Sequence, residues 1–254
     1  MPDTIRTRMA VITGAGSGLG RALAIELCRR GVPVAGLGRR ADALDETAAL
    51  AGDDFFPIPC DVSDPASVAA AFDAIGKHGT VSILINNAGV YPHRDIMDES
   101  PDSFMQTLAI NLGGTVACTR AALNDMAEIG TGRILNVSSF SDIAPPPCSA
   151  AYSVSKGACT IFSRALVADL GDRFPGIVVS TWMPGMLATD MGVPDGLDPA
   201  LAATWGAALA LWQDPSLNGA VFEMDREILP PRGMKSRLRD ALLLRRRQPR
   251  RIAP

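Results

Sequence analysis

Seven short apolar runs, parted by stretches of helical periodicity, limit what this chain can fold into. The runs are 9–13 (MAVIT), 33–37 (PVAGL), 55–60 (FFPIPC), 82–86 (SILIN), 133–137 (RILNV), 176–182 (GIVVSTW) and 220–224 (AVFEM). Helical patterns fill 19–30, 42–51, 64–76, 102–128, 151–174 and 200–212 between them. Strands that read as apolar runs, without polar alternation, are buried on both faces. Alternating strand and helix joins parallel neighbours through right-handed crossovers. The expected fold is therefore α/β: a doubly wound, Rossmann-type parallel sheet of about seven strands with helices on both faces. No linker, repeat or low-complexity tract interrupts the pattern before residue 230. One domain over 1–254 is expected, with 233–254 as a basic C-terminal extension.

Composition removes several classes of function. Apolar residues make up 47% of the chain, charged residues 20%, and the net charge is −3. Such a chain has the material for a core and lacks the basic excess of a nucleic-acid binder. No apolar run reaches membrane-spanning length. Strand-like sequence begins within the first ten residues, which leaves no room for a signal peptide and points to the cytoplasm. The five cysteines are odd in number and never spaced as CxxC, so reduced, structural thiols are expected. His78 and His93 are the only histidines, and neither sits in a metal-ligand pattern, so no metal is expected.

The first run ends in TGAGSGLG, residues 13–20, and a helical pattern follows. A strand that enters a helix through glycines is the context a dinucleotide site requires. Gly14 permits the tight turn, Gly18 lets backbone approach a pyrophosphate, and Gly20 lets the helix pack close to the sheet. Gly16, Ser17 and Leu19 complete the loop that would face the cofactor. Free N–H groups and the positive end of the helix dipole suit phosphate there. The second run ends GLGRR. Gly38 stands where an acid would take the 2′-hydroxyl of NAD, and Arg39 and Arg40 follow. Two guanidiniums suit a 2′-phosphate, so NADP(H) is favoured, with NAD(H) the alternative.

The stretch AYSVSKGA, residues 151–158, holds one of only two tyrosines and a lysine four positions later. On a helix those two side chains share a face. A free phenol ionises near about pH 10, and an ammonium held beside one favours its phenolate. Tyr152 and Lys156 thus have the makings of a proton donor and its tuner.

Together with this pair, the TGxxxGxG turn, CDVSD (60–64), NNAG (86–89) and MPGMLATDM (183–191) resemble the short-chain dehydrogenase/reductase family over roughly residues 8–225. The resemblance implies an oxidoreductase that passes a hydride between NADP(H) and a small-molecule ketone or aldehyde and its alcohol. It implies a catalytic set of Asn111, Ser139, Tyr152 and Lys156, with Ser139 thirteen residues before the tyrosine and Ser138 its most easily confused neighbour. Ser139 would bond the substrate oxygen. Lys156 would also hold the nicotinamide ribose, and Asn111 would support a water that relays protons. Asp61 and Val62 would contact adenine; Asn87, Ala88 and Gly89 would line the cofactor. Pro184 and Gly185 would turn the chain along the nicotinamide, with Leu187 and Thr189 meeting its carboxamide or a phosphate. Family habit implies a homodimer or homotetramer built on the helices over 102–128 and 151–174. The rival readings are an epimerase or isomerase that retains its NAD, and a dinucleotide sensor without turnover.

Two features depart from the family pattern. The stretch between Met191 and Leu201 is short, which implies an open substrate entrance. The chain also continues past the last apolar run into a basic tail containing LRDALLL. A solvated extension is the plain expectation for it; a subunit contact or an anionic partner is the sharper one.

Overall fold

The computed structural model describes residues 8–229 and 248–253. Strands and helices alternate as β1 (Arg8–Thr13), α1 (Gly18–Arg29), β2 (Val34–Gly38), α2 (Ala41–Ala51), β3 (Phe55–Pro59), α3 (Pro65–Ile75) and β4 (Thr80–Asn86). The chain continues as α4 (Pro101–Leu108), α5 (Gly114–Ile129), β5 (Gly132–Val137), α6 (Ala150–Leu170), β6 (Ile177–Met183), α7 (Pro199–Leu211), β7 (Val221–Glu223) and β8 (Arg226–Ile228). The sheet order is β3-β2-β1-β4-β5-β6-β7-β8, parallel up to the last pair. This is the doubly wound arrangement expected, with one strand more than seven. The extra strand β8 turns back from β7 through Met224, whose φ is +47°. At three residues it was too short to carry a pattern.

The period of two along each strand divides the core between the two faces. Ala10 and Ile12 of β1 pack with α1 and α7, among them Leu23, Leu27, Ala203 and Ala207. Met9 and Val11 point the other way, towards α3, α5 and α6 through Val68, Ala122 and Leu166. Close approach of α7 depends on Gly206: a Cβ there would come within 2.7 Å of both Leu23 and the Trp182 ring. Helix starts are written locally. Asp64, Ser100 and Asp198 each cap the next helix through a side-chain oxygen, and each is followed by proline.

The long helix expected over 102–128 is interrupted. Ala109–Gly113 form a π-helical turn between α4 and α5. The wider turn carries Asn111, which is buried and bonded to two neighbouring elements.

Of the basic extension, residues 230–247 lie outside the described residues. Residues 248–253 return to the sheet, with Gln248, Pro249, Arg251 and Ala253 exposed. Arg251 bridges to Arg226 beside β8, and Ile252 is buried in the core. Arg250 binds both carboxylate oxygens of Glu227 at 2.7 and 2.8 Å and lies over the rings of Trp212 and Phe222. The charge of the tail's end is therefore used internally.

A second acidic anchor makes a pH prediction. Glu26 of α1 accepts hydrogen bonds from Arg29 and Arg30 at 2.7–2.8 Å. The Arg29 bonds, then Arg30, outweigh burial and hold its carboxyl down at about 2. A carboxyl depressed in the folded state stabilises above its unfolded value, and that stability is lost as pH falls towards the folded value. Acid unfolding between about pH 4.5 and 2 should therefore flatten in Glu26→Gln, read by circular dichroism against pH.

Candidate active site

The sheet switches direction of growth between β1 and β4, and a crevice opens at the carboxyl ends of the strands there. That crevice is a cleft of about 940 Å³. Every residue anticipated for cofactor binding lines it: Gly14, Gly16, Ser17, Gly18, Leu19 and Gly20 from the first turn, Arg39 and Arg40 after β2, and Asp61 and Val62 after β3. Asn87, Ala88 and Gly89 follow β4, and Pro184, Gly185, Leu187 and Thr189 follow β6. Ser139, Tyr152 and Lys156 join them. Asn111 does not reach the cleft; it is buried behind it.

The glycine turn is built for close approach. Gly14 and Gly18 have φ of +71° and +51°, a region side chains disfavour. A Cβ on Gly20 would fall on the Gly14 carbonyl and 2.6 Å from Asn87 Nδ2. Ser17 precedes α1 without capping it, so the first N–H groups of that helix stay free for an anion. Thr13 receives the backbone N–H of Asn87 and Ala88 at 2.9 Å, and Asn87 Nδ2 returns a bond to the Thr13 carbonyl. These bonds lock the turn to the end of β4. We expect Gly20→Ala to cost about 2 kcal/mol of stability and to weaken nucleotide binding, measured by thermal melting and cofactor titration.

Arg39 and Arg40 are exposed at the cleft and pair with no carboxylate among the described residues. Asp61, an acid of the same cleft, is engaged by the Ser63 hydroxyl and N–H at 2.7 and 2.9 Å. Those bonds, with a smaller contribution from Arg39, hold its carboxyl below the usual range. A glycine cradle, an uncapped helix start and two free guanidiniums fit a dinucleotide.

At the other end of the cleft, Lys156 is buried and its Nζ donates to the Val137 carbonyl at 2.9 Å. That bond uses one of three N–H groups. The same Nζ lies 5.8 Å from the centre of the Tyr152 ring, so the pair shares a face of α6. Ser139 lies half-buried, its Oγ 2.9 Å from Ser141 Oγ. Ser138 is turned into the core, bonded to Thr160 and the Lys156 carbonyl. Both serines line the cleft, but their hydroxyls differ in partners: Ser138 bonds into the core, whereas Ser139 Oγ bonds only to its neighbour Ser141, through that residue's N–H and Oγ.

Asn111 spends its whole side chain on the protein. Oδ1 accepts from the Val90 N–H at 2.8 Å; Nδ2 donates to the Val90 carbonyl at 3.0 Å and to Ser155 Oγ at 2.9 Å. Its carbonyl receives Thr115 Oγ1 and Cys159 Sγ. A Cβ on Gly89 would stand 3.3 Å from Asn111 Oδ1 and 3.7 Å from Lys156 Nζ, so glycine there keeps the centre open.

The sequence reading passed over several lining residues. Tyr91, the chain's other tyrosine, stacks on Tyr152 with ring centres 4.4 Å apart. Burial and then Tyr152 push the Tyr91 phenol up. Its scarcity and its place two residues after NNAG were the available signals. Met186, Met191, Val193 and Met224 give the outer cleft an apolar, partly exposed rim. The short segment after β6 closes on itself, with Leu197 N–H bonded to the Met186 carbonyl and Ala188 N–H to Leu197. Four of the five cysteines are buried, and burial raises the thiols of Cys28 and Cys118 to about 11 and 12. Cys148 is the exception to the structural reading: it is exposed, with φ of +57°.

The sequence matches the family model described as short chain dehydrogenase over residues 8–198. It is 34% identical over 199 residues to dehydrogenase/reductase SDR family member 7 of Mus musculus, covering 75% of this chain and 59% of that one. It is 35% identical over 189 residues to D-threitol dehydrogenase of Mycolicibacterium smegmatis, covering 73% and 72% respectively. It is 30% identical over 232 residues to carbonyl reductase family member 4 of Danio rerio, covering 86% and 97%.

Proposed function

We propose, from the premise that this chain belongs to the short-chain dehydrogenase family, that it is an NADP(H)-dependent oxidoreductase interconverting a ketone or aldehyde and its alcohol. The observation that carries this reading is the buried Lys156 ammonium under the Tyr152 ring, in one cleft with Ser139 and the glycine turn.

When bound, the nicotinamide supplies or accepts the hydride. The rest belongs to the protein's own side chains. Ser139 Oγ donates a hydrogen bond to the carbonyl oxygen and fixes its direction. The Tyr152 hydroxyl gives that oxygen its proton as negative charge builds there. The Lys156 ammonium stabilises the phenolate left behind, and its spare N–H groups hold the cofactor's ribose. Asn111 keeps the floor of the site in place through Val90 and Ser155. The glycine turn and the first N–H groups of α1 hold the pyrophosphate, Asp61 and Val62 the adenine, and Thr189 with the Leu187 backbone the nicotinamide end. Arg39 and Arg40 take the 2′-phosphate. The test is loss of reduced-cofactor absorbance with NADPH and a panel of carbonyls. Consumption is expected; tight cofactor binding without consumption would instead favour a sensor.

We place the protein in the cytoplasm, a reading supported by its unpaired thiols, and expect a homodimer or homotetramer. No helix among the described residues is long and apolar enough to cross a membrane. Met105, Val116, Val154 and Ile161 leave exposed apolar surface on α4, α5 and α6 that a second copy would cover. Light scattering should give a mass of two or four chains.

A further inference from the structure

Three rings form a column in the cleft. Tyr91 stacks on Tyr152 at 4.4 Å with planes 16° apart, and on His93 at 3.6 Å with planes 25° apart. Two rings this close on one face would overlap, so His93 and Tyr152 must occupy opposite faces of Tyr91. The column is held at both ends. The Asn111 amide clamps the Val90 backbone one residue before Tyr91, donating to its carbonyl and accepting from its N–H. The same amide donates to Ser155 Oγ, which donates to the Tyr152 carbonyl at 2.7 Å. One buried side chain thereby fixes the spacing between the segments that bear the two phenols. At the outer end His93 has φ of +51°, a left-handed conformation that turns its imidazole back onto Tyr91. Tyr152 is only half-buried, and a ring so placed on a helix can change rotamer unless a neighbour confines it.

We propose that Tyr91, capped by His93, is a positioning residue that holds the Tyr152 ring in its proton-donating orientation. This rests on the reading of the site as an oxidoreductase, and it adds to that reading a residue outside the Asn111, Ser139, Tyr152 and Lys156 set. The contact that matters is ring on ring, so the hydroxyl of Tyr91 is dispensable for it. Stacked aromatic pairs carry enough energy to shift a rotamer population by about two- to tenfold.

The test uses the full chain and two readouts. Because the chain has two tyrosines, ring-labelled tyrosine gives only two sets of NMR signals. Tyr91→Phe assigns the Tyr152 set and keeps the stack. Tyr91→Ala should move the Tyr152 ring protons downfield as the ring current is lost. In kinetics, Tyr91→Ala should lower kcat by about five- to tenfold with NADPH affinity unchanged, Tyr91→Phe should restore most of that loss, and His93→Ala should give a smaller fall. Unmoved Tyr152 signals, or an unchanged kcat in Tyr91→Ala, overturns the proposal. A Phe variant as impaired as the Ala variant also overturns it, by moving the role to the hydroxyl. Wild-type protein that turns over no carbonyl, while the ring shifts appear, overturns the oxidoreductase reading and leaves the column standing.

Discussion

Tyr152→Phe should lower the kcat of carbonyl reduction by about 10³-fold, while NADPH should still bind with nearly wild-type affinity. A positioned general acid contributes about 10²–10⁴ in rate. Tyr91 is the nearest alternative, and burial beside Tyr152 makes it reluctant to release a proton. Phenylalanine preserves the ring that stacks on Tyr91 and sits above Lys156, so the fold and the column survive the change. The effect is then chemical. Cofactor titration separates it from a binding defect, and a circular dichroism melt separates it from unfolding. Lys156→Met should be at least as damaging, and differently so: it should weaken cofactor binding as well as kcat, since the ammonium serves both. A Phe variant that turns over at the wild-type rate would remove Tyr152 from the chemistry.

Arg39→Asp should weaken NADPH binding by about 100-fold and NADH binding by no more than a few-fold. Charge-assisted hydrogen bonds are worth about 1.5–3 kcal/mol, which is about one to two decades of affinity, and the new carboxylate adds repulsion against a 2′-phosphate. No carboxylate among the described residues pairs with Arg39 in the free protein, so its charge is available to a ligand at no cost in broken contacts. A carboxylate at that position can also accept from a ribose 2′-hydroxyl, which offsets the loss for NADH. The measurement is the dissociation constant of each reduced cofactor by fluorescence titration at fixed salt, since the difference is electrostatic. Equal losses for both cofactors would contradict the NADP(H) assignment.

What could be read from the sequence follows a physical division. The glycine turn and the Tyr152–Lys156 pair are local arrangements, and their spacing is dictated by one turn of backbone. Those were legible. The parallel, doubly wound class followed from the alternation, since parallel neighbours need crossover helices. The features that were not legible depend on contacts between distant segments. The π-turn at Asn111 exists because a buried amide meets Val90 and Ser155, neither of which is near it in sequence. Tyr91 reads as a loop aromatic until β4 and α6 bring it against Tyr152. The return of residues 248–253 to β8 depends on Arg250 meeting Glu227, and a run of basic residues alone reads as solvated. The neighbour pair Ser138 and Ser139 shows the limit most clearly: the family spacing selects the second, but the different partners of the two hydroxyls come only from the fold.

The most direct test of the central claim follows the hydride itself. The protein is incubated with NADPH carrying deuterium at the transferring face of the nicotinamide C4 and with a ketone, and the alcohol is analysed by mass spectrometry. The account predicts one deuterium on the carbinol carbon for each cofactor oxidised, and none formed by Tyr152→Phe. Alcohol without label, or labelled alcohol from the Phe variant at the wild-type rate, would contradict it.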